Sequence, residues 1–166
     1  YKIDKKEDSN DFYLMLSNLD ELTKPGANGV IMLPDIFGSL CPIKDPKSLG
    51  VLYGLSERTK DFDLMRAIIE GINYQSFTIH NAICEAIGYN FEHIINIGGA
   101  SYNKFWMQNK SNIFGKPVKA LKIKESTSLG AAMLAGIGIG IYKNYIDASS
   151  KISSEYDLYK PDEKSF

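Results

Sequence analysis

Apolar positions along this chain follow two spacings, one helical and one of short extended runs. Between Ser9 and Leu22, the residues Phe12, Leu14, Met15, Leu16 and Leu19 recur among polar neighbours as an amphipathic helix would place them, with Ser9 or Asn10 as cap. Pro25, Gly26 and Gly29 stop that segment, and the run Val30–Leu33 before Pro34 predicts a short buried strand. Pro34–Pro46 is punctuated by Pro34, Gly38, Pro42, Asp45 and Pro46, which predicts a loop. A loop of this length in a compact domain is expected to be functional or ordered by a partner. Gly50–Leu55 predicts a second short strand. Leu64, Ile68, Ile72, Ile79, Ile83 and Ala86 then form a helical stripe, capped by Asp61 or Asp63 and ended by Gly88. Gly71 inside that helix costs about 1 kcal/mol against alanine, so close packing with a neighbour is the expected compensation. Ile94, Ile95 and Ile97 make a third strand that breaks at Gly98 and Gly99. A helix from about Tyr102 to Phe114 follows, with Ser101 as its predicted N-cap and Gly115 and Pro117 as its stop. Val118–Leu121 reads as the final strand. The apolar helix Leu129–Tyr142 carries Gly130, Ala131, Ala132, Ala135 and Gly136, a set small enough to let its backbone pack tightly on a sheet. From Asp147 onward the chain is polar and predicts a loosely held tail. The alternation of helices and strands argues for an α/β layer structure with helices covering a sheet.

Length and charge narrow this picture. At 166 residues the chain is the size of one domain, able to bury about 70% of its extended surface. Nineteen basic against twenty acidic residues, with no long basic block, exclude nucleic acid and anionic membrane as expected partners. The apolar run Ala131–Ile141 is broken by glycines and too short to span a bilayer, and Tyr1–Asp11 is too charged for a secretory leader. Cys41 and Cys84 lack metal-ligand spacing and are expected as buried free thiols in a reducing cytosol. His80, His93 and Trp106 are expected to serve packing rather than ligand contact.

Ile94–Ser101, reading IINIGGAS, concentrates the candidate chemistry. A strand that stops at paired glycines lets backbone approach a ligand with no Cβ between them, and a helix N-terminus beyond offers free N–H groups to an anion. The reading is a nucleotide or phosphate contact, set against a plain strand-to-helix turn. A dinucleotide-binding Rossmann motif does not fit, because the glycines are not spaced G-x-G-x-x-G.

Two long segments resemble one family. Gly98–Gly140 is similar to the end of the FGGY carbohydrate kinases, such as xylulokinase and glycerol kinase. Gly50-Val-Leu52-Tyr-Gly54-Leu55, seven residues, then Asp63-Leu64-Met-Arg-Ala67-Ile68-Ile69-Glu70 fits the family's C-terminal signature. The resemblance runs from about Ala27 to Tyr142, with a weaker echo at Tyr159-Lys160-Pro161-Asp162. It implies the second domain of an actin-like, ribonuclease-H-like ATPase fold, with ATP and a sugar or polyol in the cleft between two domains. On this reading residues 1–166 are one domain, most of the family's C-terminal domain, with a divergent N-terminal helix over 1–26 and a polar tail over 147–166. The match puts Gly98, Gly99, Ala100 and Asn103 at the adenosine end of ATP, and Glu125 with Leu129–Ala132 in a structural role behind it. The resemblance further implies Mg²⁺ with the ATP, a cytoplasmic enzyme, and a xylulokinase-like substrate. It also implies an N-terminal kinase domain supplying the catalytic aspartate and phosphate loops, so that this chain alone is inactive. A non-catalytic nucleotide-binding or interaction module is the alternative. Apolar surface facing the cleft would favour a homo-oligomer of the isolated chain. Two departures stand out: Gly38-Ser39-Leu40-Cys41-Pro42 where many members carry Gly-Glu-Arg-x-Pro, and Ser111-Asn112 where Ala-Asp or Ser-Asp is usual.

Overall fold

A computed structural model describes residues 16–123, 125–152 and 155–162. The first half of the predicted Ser9–Leu22 helix, with both its candidate caps, lies outside them. Within them a single turn, α1 (Leu19–Leu22), precedes a 3-10 turn at Ala27–Gly29. Strands β1 (Ile31–Leu33) and β2 (Val51–Tyr53) follow, then the long helix α2 (Asp61–Ile87). Next come β3 (Ile94–Asn96), a 3-10 turn at Gly99–Tyr102, α3 (Lys104–Phe114) and β4 (Val118–Leu121). The chain continues through α4 (Ser126–Gly138), α5 (Tyr145–Ser150) and β5 (Tyr156–Tyr159).

The strands form two sheets. β1 and β2 pair antiparallel, with Ile31 opposite Tyr53 and Leu33 opposite Val51. β3 and β4 pair parallel across the α3 connection, and β5 closes the other edge of β4 antiparallel, with Val118 opposite Tyr159. Helix α2 binds the parts together, packing against both β1 and α3. Gly71 explains how closely: a Cβ there would fall 2.4 Å from the Met32 carbonyl oxygen, so β1 lies directly on the α2 backbone. The sequence expectation of a tight neighbour at Gly71 is met.

Apolar clusters form on both sides of α2. Leu19, Ile69 and Phe105 make one, Ala27, Val30 and Ala67 a second, and Met107, Val118 and Ala120 a third, with Trp106 packed against the first and third. A stripe of buried polar residues, Asp63, Arg66, Glu70 and Asn73, runs between them at helical spacing. Arg66 is held by three hydrogen bonds: Nε donates to Glu70 at 2.7 Å, and Nη1 donates to Asp20 at 3.1 Å and to the Thr23 carbonyl at 2.6 Å. Burying a guanidinium is tolerable only with such partners. Their effect is to fasten the α1 segment onto α2.

Several expectations need correction. β1 is not a buried strand: Ile31 and Leu33 are 62% and 45% exposed, because a two-stranded sheet has one face against α2 and the other uncovered among the described residues. The apolar stripe on α2 is not its buried face either, since Ile68 and Ile83 are exposed and the polar stripe is inside. Lys60, not Asp61 or Asp63, is the N-cap of α2; Asp63 stands at the third position, where its carboxylate accepts the Lys60 N–H at 3.0 Å. The predicted tail contains α5 and β5, so β4 is not the last strand. β5 is held by its backbone ladder to β4 and by Tyr156, whose ring lies 5.4 Å from the Lys119 ammonium. The small residues of α4 do not pack on a sheet. The helix contacts α5, Gly130 and Gly138 face open space, and only Gly136 is tight, against the Tyr142 ring. Both cysteines are free, but Cys41 is exposed and Cys84 half-buried.

Candidate functional site

β3 ends at Asn96, and the chain then needs a conformation that only glycine adopts readily. Gly98 has φ 88° and ψ −173°. Its carbonyl accepts the Ser101 N–H at 3.0 Å and the Ser101 hydroxyl at 2.6 Å, which winds Gly99–Tyr102 into a 3-10 turn. Ser101 is therefore buried in the turn and is not the helix cap. Asn103 caps α3 instead, its Oδ1 accepting the Trp106 N–H at 2.9 Å. With its oxygen so engaged, the Asn103 side chain presents its amide N–H groups as donors.

The turn opens onto a cleft of ≈ 590 Å³. Gly99, Ala100, Tyr102 and Asn103 form one side; Met65, Ile68 and Ile69 of α2 face them, Trp106 stands behind, and Leu16 and Ser17 complete the rim. Among the described residues no lining side chain carries a charge. Three of the four residues singled out from sequence thus meet at one cleft, while Gly98 shapes the turn and does not line it. Gly99 is informative. Its φ is not positive, and a Cβ on it would meet nothing within 4 Å among the described residues, so neither backbone conformation nor their packing requires glycine there. Met65, Ile68 and Tyr102 escaped the sequence reading; the available signal was an apolar stripe on α2 wider than its core contacts need. Trp106 does serve the core, as expected, and it faces the cleft as well.

The departures from the family pattern are absorbed locally. In the Pro34–Pro46 loop, Ser39 and Asp45 exchange backbone hydrogen bonds of 2.8 and 2.9 Å. The buried Asp35 carboxylate accepts from Ser48 and from Gln75 on α2, both at 2.6 Å, so the loop is anchored without an ion pair. Asn112, where the resemblance leads one to expect a carboxylate, supplies an oxygen acceptor: its Oδ1 accepts from Gln108 and from the Asp162 N–H, both at 2.9 Å. That contact, with Gln108 donating to the Lys160 carbonyl at 2.7 Å, pins the Tyr159–Asp162 echo onto α3. Glu125 and Leu129–Ala132 do not line the cleft. Among the described residues no group of three or more His, Cys, Asp or Glu could hold a metal ion, and no helix is long and apolar enough to cross a membrane.

Solved structures share this arrangement. Xylulose kinase from Rhodospirillum rubrum superposes with a TM-score of 0.75 at 25% identity, covering 96% of this chain and 31% of that one. Plasmodium falciparum glycerol kinase with ADP gives 0.70 at 29% identity, covering 98% and 31%. The fold is thus that of one domain of an actin-like ATPase of the sugar-kinase class. The model of the FGGY family of carbohydrate kinases, C-terminal domain, matches residues 2–139, and the chain belongs to that family as its C-terminal domain. Curated relatives agree: xylulose kinase of Staphylococcus epidermidis is 32% identical over 91% of this chain, and glycerol kinase 1 of Clostridium tetani 37% over 74%. The chain spans 32% and 24% of their lengths.

Proposed function

We propose that the chain is the nucleotide-side domain of a cytoplasmic, ATP-dependent kinase that phosphorylates a sugar or polyol hydroxyl, with xylulose the first substrate to test. Gly99, Ala100 and Asn103 hold the adenosine end of ATP, on a turn that Gly98 shapes. Gly99 carries the reading: a glycine with no structural need for itself, at the mouth of an uncharged cleft, fits a site where a ligand approaches the backbone. The absence of charge in the lining suits a base and ribose better than a triphosphate. In this reading the phosphates, the Mg²⁺ they carry and the catalytic aspartate belong with a second domain, and closure of the two domains excludes water from the transfer. Asn103 then donates to a ring nitrogen or ribose oxygen.

Isothermal titration and amide NMR of the chain with ATP test the site. Shifts at Gly98–Asn103 and a measurable heat are expected, and unchanged resonances at millimolar ATP would remove the assignment. A coupled assay with xylulose and glycerol tests the division of labour. Sugar-dependent ATP consumption requires the second domain, so turnover by this chain alone would refute that division.

A further inference from the structure

The Trp106 indole walls the cleft, and it is fixed from two sides. Its backbone N–H is held by Asn103, and its Nε1–H donates to Asn73 Oδ1 at 3.1 Å. Asn73 is fully buried in the middle of α2. Its Nδ2 donates to Asn109 Oδ1 at 2.8 Å, so the amide has one satisfied orientation. Turning it over would set an N–H against the indole N–H and an oxygen against the Asn109 oxygen. The Asn109 residue sits one turn along α3 from Phe105 and Trp106, so the two bonds lock α2 and α3 in register as well as the ring. Apolar packing alone is non-directional and would leave the indole plane less defined; a hydrogen bond to its one polar atom selects a single pose. Packing by itself gives no reason for an amide here, since a buried asparagine contributes only what its hydrogen bonds return after desolvation.

We propose that Asn73 is a positioning residue for nucleotide binding. It does not line the cleft and touches no ligand. It sets affinity by locking the Trp106 indole as the rear wall behind the Gly99–Asn103 turn, where a flat purine face can lie against it. This rests on the nucleotide reading of the cleft above.

Trp106 is the only tryptophan in the chain, so its emission reports on the wall directly. Asn73→Leu keeps the branched shape of the side chain with two bulkier methyl groups and deletes all three of its hydrogen bonds, the third being Nδ2 to the Trp106 carbonyl at 3.5 Å. Titrating the 166-residue chain with ATP, by heat and by fluorescence, should show binding about tenfold weaker in this variant and an indole more open to acrylamide quenching. Trp106→Phe, followed by heat alone, should weaken binding by a similar factor, and adding Asn73→Leu to it should cost little more. Equal losses from Asn73→Leu with and without Trp106→Phe would show that Asn73 does not act through the indole and would overturn the proposal. Unchanged affinity in Asn73→Leu would overturn it too. If the unaltered chain takes up no ATP, the nucleotide reading falls and the proposal with it. If the unaltered chain binds ATP and only the variants behave otherwise than expected, the proposal falls alone. Should Asn73→Leu fail to fold, Asn73→Ser removes the long amide while keeping a small polar group, and carries the same comparison.

Discussion

Gly98 and Gly99 are neighbours with different reasons to be glycine. At Gly98 the backbone demands it, since φ 88° with ψ −173° is a conformation closed to other residues. Gly98→Ala should therefore lower stability by about 1–3 kcal/mol, measured by urea unfolding. At Gly99 neither backbone nor packing does. Gly99→Ala should leave stability within about 0.5 kcal/mol of the parent while the added methyl weakens ATP binding, measured by titration calorimetry on the same preparation. A large stability loss at Gly99 would mean that the turn, not a ligand, selects the residue. Asn103 combines both roles. Asn103→Ala removes the cap of α3 and should cost about 1 kcal/mol, and Asn103→Asp keeps the capping oxygen while deleting the amide donors. A loss of ATP affinity in Asn103→Asp at unchanged stability separates the ligand role from the capping role.

At the scale of elements, α2 is where sequence pattern and structure diverge most usefully. The pattern located the helix, its Gly88 end and the close approach at Gly71, because glycine punctuation and helical period are local signals. It did not find which face is buried. Hydrophobic periodicity registers apolar stripes, and the interior face of α2 carries, beside Ala67 and Ile69, the polar stripe Asp63–Arg66–Glu70–Asn73, whose burial is made tolerable by partners 33 to 46 residues away. No local reading supplies those partners. β5 was missed for a related reason: four residues of strand carry little period, and their stability comes from pairing with β4. The cleft was half legible. Its glycine turn is contiguous in sequence, whereas Met65 and Ile68 join it only because Gly71 and the Arg66 cluster set how α2 lies. Gly71→Ala tests that dependence. Alanine gains about 1 kcal/mol of helix propensity, but its methyl would stand 2.4 Å from the Met32 oxygen, and displacing β1 costs about 3 kcal/mol. A net loss of about 2 kcal/mol in urea unfolding is expected; a net gain would mean that β1 can withdraw freely.

For the whole molecule, the contacts that tie distant segments together are partly proton-dependent. His80 on α2 packs its ring against Phe91 and Phe114, with centroids 5.9 and 5.4 Å away. Its Nε2 faces the Lys116 ammonium at 3.2 Å and the Cys84 sulfur at 3.4 Å. Lys116, in the turn between α3 and β4, also donates to Asn90 and, at 2.7 Å, to the Phe91 carbonyl, so it joins three segments. Neutral imidazole can accept from the ammonium; imidazolium repels it. Burial, with Lys116 adding to it, holds His80 below its ordinary value of 6.5. The unfolded chain thus takes up the proton before the folded one does. Stability should be whole above pH 6.5 and should decline as pH falls below it, until the folded histidine itself titrates and the loss levels off. A second decline belongs to Asp63. Burial works to raise that carboxyl, but hydrogen bonds from Thr23, the Lys60 N–H and Asn28 outweigh it and hold it below 3.8. Its contribution is present above pH 3.8 and lost as pH falls through the folded value. The Asp63 loss begins only near pH 3.8, so urea unfolding between about pH 7.5 and about pH 5 isolates the histidine. His80→Phe keeps an aromatic ring against Phe91 and Phe114, removes the titrating nitrogen, and should flatten the curve across that range. An undiminished slope in His80→Phe would show that the joint between α2 and the α3–β4 turn is not what titrates.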